Sequence, residues 1–477
     1  MRKKIFAFVL LMLLALPLAL AGCNDKGGYV AGSGKLVDLS AMPDGTAEEY
    51  QYLYDQVIVG DKSTTGLDYV AHPDSVLLDN GDIITAFSLG HGLGGTAMRI
   101  SHDKGLSWEV MALPDSFANN QETPTIYKLD FTDGTQKLVL ISGRPSWPTE
   151  GNLGEGWDAS VSTSLDPDGG CDGLVWSEME NFYGPNATRE EYYREAGAEK
   201  YDAVVAMSSL TQMKDENGNL IDKWMGTYHD DRNFTVYKTI LTFNEDGSME
   251  WSEPERLLGQ NGEWREYEEL GSALYMTTTG KVLKDGGNSF CETEIIRSPD
   301  GNELAALFRV NAKSNYSYVT FSTDEGKTWS EPQTVAPELT GERHKAEYDP
   351  VTGKLVITMR NISADDDGLL AYNHFRSRGW VAWIGDYEDL KKGEEGCGDM
   401  LVKLANTYNS GVSEITEFCN ADTGYAGLVV YPDGTFVTTS YGYFSPADDP
   451  DHGGQSYIIS KQFTVRDLAS LAGVTLR

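Results

Sequence analysis

A tyrosine, Tyr425, stands nine residues ahead of Gly434 in the stretch GYAGLVVYPDGTFVTTSYG. A phenol with an ordinary pKa near 10 attacks only if a base takes its proton or cations surround it. Glu292, a carboxylate able to serve as that base, lies near the start of a similar stretch, ETEIIRSPDGNELAALFR. Arg309 closes that stretch and Arg360 closes HKAEYDPVTGKLVITMR. Two guanidinium groups can form a fork for a carboxylate or a sulfate. His72, Asp74, Glu122, His229, Arg343 and His344 stand near the ends of comparable stretches. These residue types suit nucleophilic catalysis on an anionic ligand. Each also has a plainer use: a tyrosine packed at a strand start, a solvated carboxylate, an arginine in a structural ion pair.

The elements that must position these residues are hairpins. In the stretch around Gly434, an apolar run from Leu428 to Tyr431 meets Pro-Asp-Gly, and a β-rich run from Thr435 to Ser440 leads back out. Glycine supplies the backbone freedom of the tight turn, and Val, Phe and Thr suit pleated strands. The device recurs with turns at Gly81, Gly134, Gly218, Gly301 and Gly353, giving spacings of 53, 84, 83, 52 and 81 residues. Propeller blades run about 40–50 residues before loops are added. Six hairpins therefore predict an all-β, six-bladed β-propeller. The copy at Gly218 is the poorest match. The start of a first strand and the end of a second share one face, so His72, Asp74, Glu122, Glu292, Arg343, His344 and Tyr425 can meet Arg144, His229, Arg309, Arg360 and Tyr441 near the axis.

Most hairpins are followed by an outer pair of strands, but the last is followed only by QSYIISKQFTV. Gln56 to Gly60, QVIVG, is free to complete that blade and close the ring. Two outer hairpins carry S-x-D-x-G-x-[ST]-W, at Ser101 to Trp108 and Ser322 to Trp329, and Phe243 to Pro254 is a degenerate third. The aspartate can bind turn amides and the tryptophan can pack beneath. Asp103 and Asp324 are therefore structural.

A formal charge of -35 over 477 residues excludes the basic footprint of nucleic-acid binding. It also repels anions at long range, so an anionic substrate needs locally placed Arg or Lys. Arg2, Lys3 and Lys4 precede an apolar run from Ile5 to Leu20 and then Ala21, Gly22 and Cys23, which describes a secretory signal. Leu20 to Cys23 resembles the bacterial lipoprotein box. That implies cleavage before Cys23, lipid on its thiol and a secreted, membrane-anchored protein whose only membrane contact is that lipid. Residues 1–22 are then the signal peptide, 23–50 a tether and 51–477 the propeller. Cys171, Cys291, Cys397 and Cys419 can pair in three ways or stay reduced. The acidic runs at Asp365 to Asp367 and Asp448 to Asp451 read as solvated loops rather than calcium sites. No HExxH, GxSxG or phosphate loop occurs. No cofactor and no metal are expected.

With its hairpins and two Asp-box motifs, the chain resembles the sialidase superfamily from about Tyr69 to Phe463. The resemblance implies a glycan substrate, a tyrosine nucleophile activated by a glutamate, an aspartate acid/base and three arginines on the substrate carboxylate. By position in the motifs, Tyr425 matches the nucleophile, Glu292 its base, Arg309 one arginine and Arg360 another. Two positions depart. The arginine two residues before the first-blade proline, Pro73, is Ala71, and the loop that should carry the acid, Ser88 to Gly95, offers only His91. The acid is then Asp74 or His91, and Arg343, His344 or His91 would have to complete the clamp. The chain is accordingly expected to be an exo-acting glycosidase on a terminal acidic sugar. A glycan-binding propeller without catalysis, and a glycosidase of other specificity, are the alternatives.

Overall fold

A computed structural model describes residues 35–120, 122–145, 156–182, 203–230, 235–258, 262–267, 272–277, 290–310, 317–362, 377–393, 396–405, 423–444 and 454–477. Six sheets form a six-bladed propeller. The innermost strands are Ala71–Leu77, Glu122–Asp130, Val204–Lys214, Phe290–Arg297, Gly341–Tyr348 and Ala426–Val430, in blades one to six. Each is paired antiparallel with the next strand of its hairpin. All six turn glycines have positive φ, between 74° and 96°. This conformation strains any residue bearing a Cβ. The hairpin at Gly218 has three register shifts, in keeping with its polar sequence.

The ring is held by what lies between blades. Ile84 and Met98 of the first blade pack on Ile126 and Leu140 of the second. Val139 and Trp157 of the second meet Met207 and Trp224 of the third. Met225 and Val236 then meet Phe308 and Trp329, and Leu307 meets Ile357 and Trp383. Val356 and Trp380 pack on Leu428 and Phe436, and Val437 returns to Ile83 of the first blade. Apolar side chains alternate to both faces of each sheet, so every blade buries two faces at once.

As expected, the last blade borrows its outer strand. Val57–Gly60 pairs antiparallel with Ser456–Thr464. The tether reading needs correction at its inner end. Lys35–Asp38 adds a parallel strand to Met400–Lys403 in the fifth blade, and a 3₁₀ turn spans Glu48–Tyr54. Val37, Leu39 and Leu53 are buried in the same core as the fifth and sixth blades, so the folded body begins by Lys35. A short helix, Val465–Ala472, follows the last strand, capped by the Thr464 side chain on the Asp467 amide.

The two outer motifs close as their sequences require. Asp103 Oδ1 accepts from the Leu106 and Ser107 amides at 3.0 and 2.8 Å, and Asp324 Oδ1 from Thr328 at 2.8 Å. Trp329 is buried between the third and fourth blades. Trp108 is half-buried and donates to Ser460 Oγ at 3.1 Å. Cys171 and Cys291 are free thiols, and Cys397 is buried. Cys23, Cys419 and both acidic runs lie outside the described residues. Among the described residues, no helix is long and apolar enough to cross a membrane.

Candidate functional site

The site is built by one backbone device used four times. The ladder slips near the start of the inner strand between Ala71 and Asp74, Glu122 and Thr125, Cys291 and Thr293, and Glu342 and Lys345. Within each slip one residue takes positive φ: His72 at 54°, Thr123 at 36°, Glu292 at 35° and Arg343 at 52°. A bulge sets two residues against one and re-aims their side chains. A positive φ in a residue with a Cβ costs about 1–3 kcal/mol, tolerated where surrounding structure over-determines it. In the sixth blade the equivalent place is Gly424, with φ of 90°. A Cβ there would lie 2.7 Å from the Arg360 backbone, so only glycine brings Tyr425 this close to Arg360.

These slips gather residues from distant parts of the chain. The Tyr425 hydroxyl donates to Glu292 Oε1. Arg309 Nη1 donates to Glu292 Oε2 at 2.7 Å and to the Tyr425 hydroxyl at 2.6 Å. The other arm of Arg309 lies 3.3 Å from Glu342 Oε1, and Arg360 Nη1 lies 2.9 Å from Glu342 Oε2. Arg360 also donates to the Thr423 carbonyl at 2.5 Å and the Tyr441 hydroxyl at 3.2 Å, and its guanidinium is 5.4 Å from the Tyr425 ring centre. Tyr425, Glu292, Arg309, Glu342 and Arg360 are all buried.

Burial raises the Tyr425 pKa well above that of a free phenol, and Glu292 adds to this against the opposing pull of Arg309 and Arg360. Burial also works to raise the Glu292 carboxyl. Arg309, Arg343 and His229 more than offset it, and Glu292 is held below its ordinary value. The resting state is thus a neutral phenol donating to a carboxylate, with one guanidinium bound to both.

The first two blades make the other side of the site. His72 Nδ1 lies 3.1 Å from Glu122 Oε1, and His91 Nε2 lies 3.7 Å from the same oxygen. Thr123 Oγ1 donates to Oε1 at 3.0 Å, and the Gly92 amide donates to Oε2. The His72 ring is 4.7 Å from that of Tyr425 and 5.3 Å from that of His91. His91 is exposed on a tight loop with positive φ at Gly92, Gly94 and Gly95, and borders the ring of Tyr69, which in turn neighbours Tyr443.

Several other expected residues land elsewhere. Asp74 needs correction as a stand-in acid. Its carboxylate is 3.1 Å from Lys345 Nζ and accepts from the Ser75 and Ile126 amides at 3.0 and 3.1 Å. It sits one pleat along the strand from His72, and its lone pairs are taken. His344 Nε2 bonds the Leu339 carbonyl at 2.9 Å, and burial lowers its pKa to about 4, so it serves the turn before its strand. His229 is likewise held near 4 by burial and accepts from the Glu292 amide at 3.5 Å, supporting the strained residue. Arg343 is buried, and its Nη1 has no hydrogen-bond partner among the described residues. Arg144 pairs with Asp158 at 2.8 Å within the second blade.

The sequence reading missed Glu342, which ties the two arginines together. The available signal was its place in GERHKAEYD: it precedes Arg343 as Cys291 precedes Glu292 and Ala71 precedes His72. Lys345 and Glu294 were missed too. They line the next layer inward, where burial pushes the Glu294 carboxyl up to about 7. Farther along, Ser75, Tyr127, Lys345, Glu347 and Val429 line a cavity of about 250 Å³.

Comparison with known proteins finds no matching family model and no matching curated protein. Solved structures do match. A protein of unknown function from Dyadobacter fermentans is 16% identical, with a TM-score of 0.51 over 86% of this chain and 98% of that one. A GH93 α-L-arabinofuranosidase of Fusarium graminearum is 11% identical, with a TM-score of 0.48 over 83% and 94%. The leech intramolecular trans-sialidase is 12% identical, with a TM-score of 0.48 over 91% and 74%. At these identities the likeness is one of fold.

Proposed function

We propose that this protein is an exo-acting glycosidase that cleaves a terminal acidic sugar by way of a tyrosine nucleophile. The observation that carries the reading is the triangle of Tyr425, Glu292 and Arg309. A phenol, a carboxylate that accepts its proton and a cation that touches both meet within hydrogen-bond reach, from strands 133 residues apart. In the first step Tyr425 Oη attacks the anomeric carbon as its proton passes to Glu292, and the bond to the leaving oxygen breaks. Arg309 stabilises the charge that grows on the phenol oxygen. The leaving oxygen takes its proton from a water molecule at the corner of the pocket between the first two blades. Water then releases the sugar from Tyr425 by the reverse proton transfers, so the anomeric configuration is retained.

The anionic group of the sugar is bound by Arg360, Arg309 and Arg343. Because Glu342 pairs with both Arg309 and Arg360, and the first blade offers Ala71 in place of an arginine, sialosides are expected to be weak substrates. A glycosidase of other specificity on the same scaffold is the second reading, and the same Glu342 contacts favour it. The test is a panel of aryl glycosides of sialic and uronic acids and of neutral sugars. It is combined with a fluorinated analogue that slows release of the glycosyl-enzyme. A covalent sugar found by mass spectrometry on the peptide holding Tyr425 supports the proposal. Turnover of no glycoside in the panel, with no label on that peptide, overturns it in favour of glycan binding without catalysis. The lipid at Cys23 would hold the enzyme at the cell surface or the periplasmic face. Globomycin-sensitive processing in a bacterial host tests that part.

A further inference from the structure

The corner formed by the first two blades has a donor set that the tyrosine pair does not use. A ring nitrogen of His72, a ring nitrogen of His91 and a Glu122 oxygen all fall within 4.8 Å of one another. A zinc-class cation holds nitrogen and oxygen at about 2.0–2.2 Å, so its tetrahedral ligand atoms stand about 3.3–3.5 Å apart. The observed separations from Glu122 Oε1, 3.1 Å to His72 and 3.7 Å to His91, bracket that range. Two imidazoles and one carboxylate form the donor set of open sites that leave a coordination position for water or substrate.

The scaffold around these donors is built. His72 and Glu122 are 4% and 2% exposed and stand at the strand-entry slips of neighbouring blades. Thr123 and the Gly92 amide fix both oxygens of Glu122. Ser88 Oγ, 3.4 Å from His72 Nδ1, is the nearest competitor for that nitrogen. His91 closes the corner from the solvent side on its glycine-rich loop.

We propose that His72, His91 and Glu122 bind a divalent cation of the zinc class, and that its open position receives the carboxylate or a hydroxyl pair of the sugar. This replaces the expectation of a metal-free site. Two positive charges would stand next to Ala71, where the clamp lacks an arm, and beside arginines whose charge Glu342 partly cancels. The metal site stands on geometry alone, while its role toward a sugar rests on the glycosidase reading.

The test uses the purified folded protein, stripped with EDTA and dialysed. It is titrated with Zn²⁺ by calorimetry and with Co²⁺ by visible absorption. One equivalent should bind, Co²⁺ should develop the d–d bands of a nitrogen–oxygen site, and Zn²⁺ should raise the melting temperature. His91→Ala, on an exposed loop, and Glu122→Gln should each weaken Zn²⁺ binding by about tenfold or more. Absence of saturable binding, or binding that neither substitution changes, overturns the metal site. Zn²⁺ uptake without cleavage of any glycoside leaves the site standing and removes the glycosidase. Glycoside cleavage that EDTA does not alter, with no Zn²⁺ uptake, does the reverse.

Discussion

On the wall made by the fourth, fifth and sixth blades, Arg309 and Arg360 face Glu292 and Glu342, and Tyr425 lies among them. Charges there are buried and paired. On the wall made by the first and second blades, two imidazoles surround Glu122, and one of them is exposed on a glycine-rich loop. Both walls use the same slip at the entry of an inner strand. The comparison teaches that the bulge fixes where a side chain points, while the residue placed on it decides the chemistry. It also separates two kinds of constraint. Removing one partner from a buried pair leaves an uncompensated charge, at about 3–5 kcal/mol. An exposed imidazole such as His91 can change at little cost in stability, whereas His72 and Glu122 behind it are buried and paired.

The largest effect should come from the charged wall. Tyr425→Phe removes the proposed nucleophile and should lower kcat by about 10⁴-fold or more. Glu292→Gln, which keeps the shape but cannot take the proton, should lower it by about 10²–10⁴-fold. Steady-state kinetics on whichever glycoside the wild type cleaves provides the measurement. Turnover unchanged in both variants would break the assignment of this wall as the catalytic one.

A packing site should behave in the opposite way. Trp329→Ala removes a buried ring between two blades and should destabilise the fold by about 3–5 kcal/mol. The kinetics of the fraction that remains folded should not change. Trp108, half-buried, should cost less. Denaturant melts and kinetics on both variants check this, and lost activity at an unchanged melting point would contradict the structural role.

The layer behind the charged wall gives a pH signature. Burial raises the Glu294 carboxyl from 4.5 to about 7 in the folded protein. A folded pKa above the unfolded one means that the folded state binds the proton more tightly. The associated stability is present below about pH 4.5 and is lost as pH rises through about 7. A shift of this size corresponds to on the order of 3 kcal/mol. Glu294→Gln should therefore flatten the decline in melting temperature between pH 4.5 and 8. A pH profile identical to that of the wild type would show that Glu294 is already ionised in the fold.

The smallest effect tests whether Glu342 restrains the clamp. Glu342→Gln frees the guanidinium groups of Arg309 and Arg360 and should lower KM for an acidic glycoside by about tenfold, or ~1.4 kcal/mol. It should also lower the melting temperature. A raised KM would show that Glu342 orients the arginines rather than occupying them.

The amino-acid sequence by itself determined the six glycine-turned hairpins, the borrowed strand before the first blade, the tryptophan-capped outer turns and the pairing of Tyr425 with Glu292 as a candidate. Each of these is a local or periodic property: a turn that needs positive φ, an alternation of side chains, a motif at fixed distance from a glycine. Tertiary structure alone decided which polar strand ends meet. Asp74 and His72 are two residues apart, yet one is bound by Lys345 and the other stands against Tyr425. The place of Glu342 before Arg343 marks it as a strand-entry residue, but the two arginines it bridges, Arg309 and Arg360, were fixed only by the fold. The physical reason is the strand-entry slip. It shifts the register by one residue and turns adjacent side chains toward different partners, and those partners come from blades whose order around the axis no short window of sequence contains.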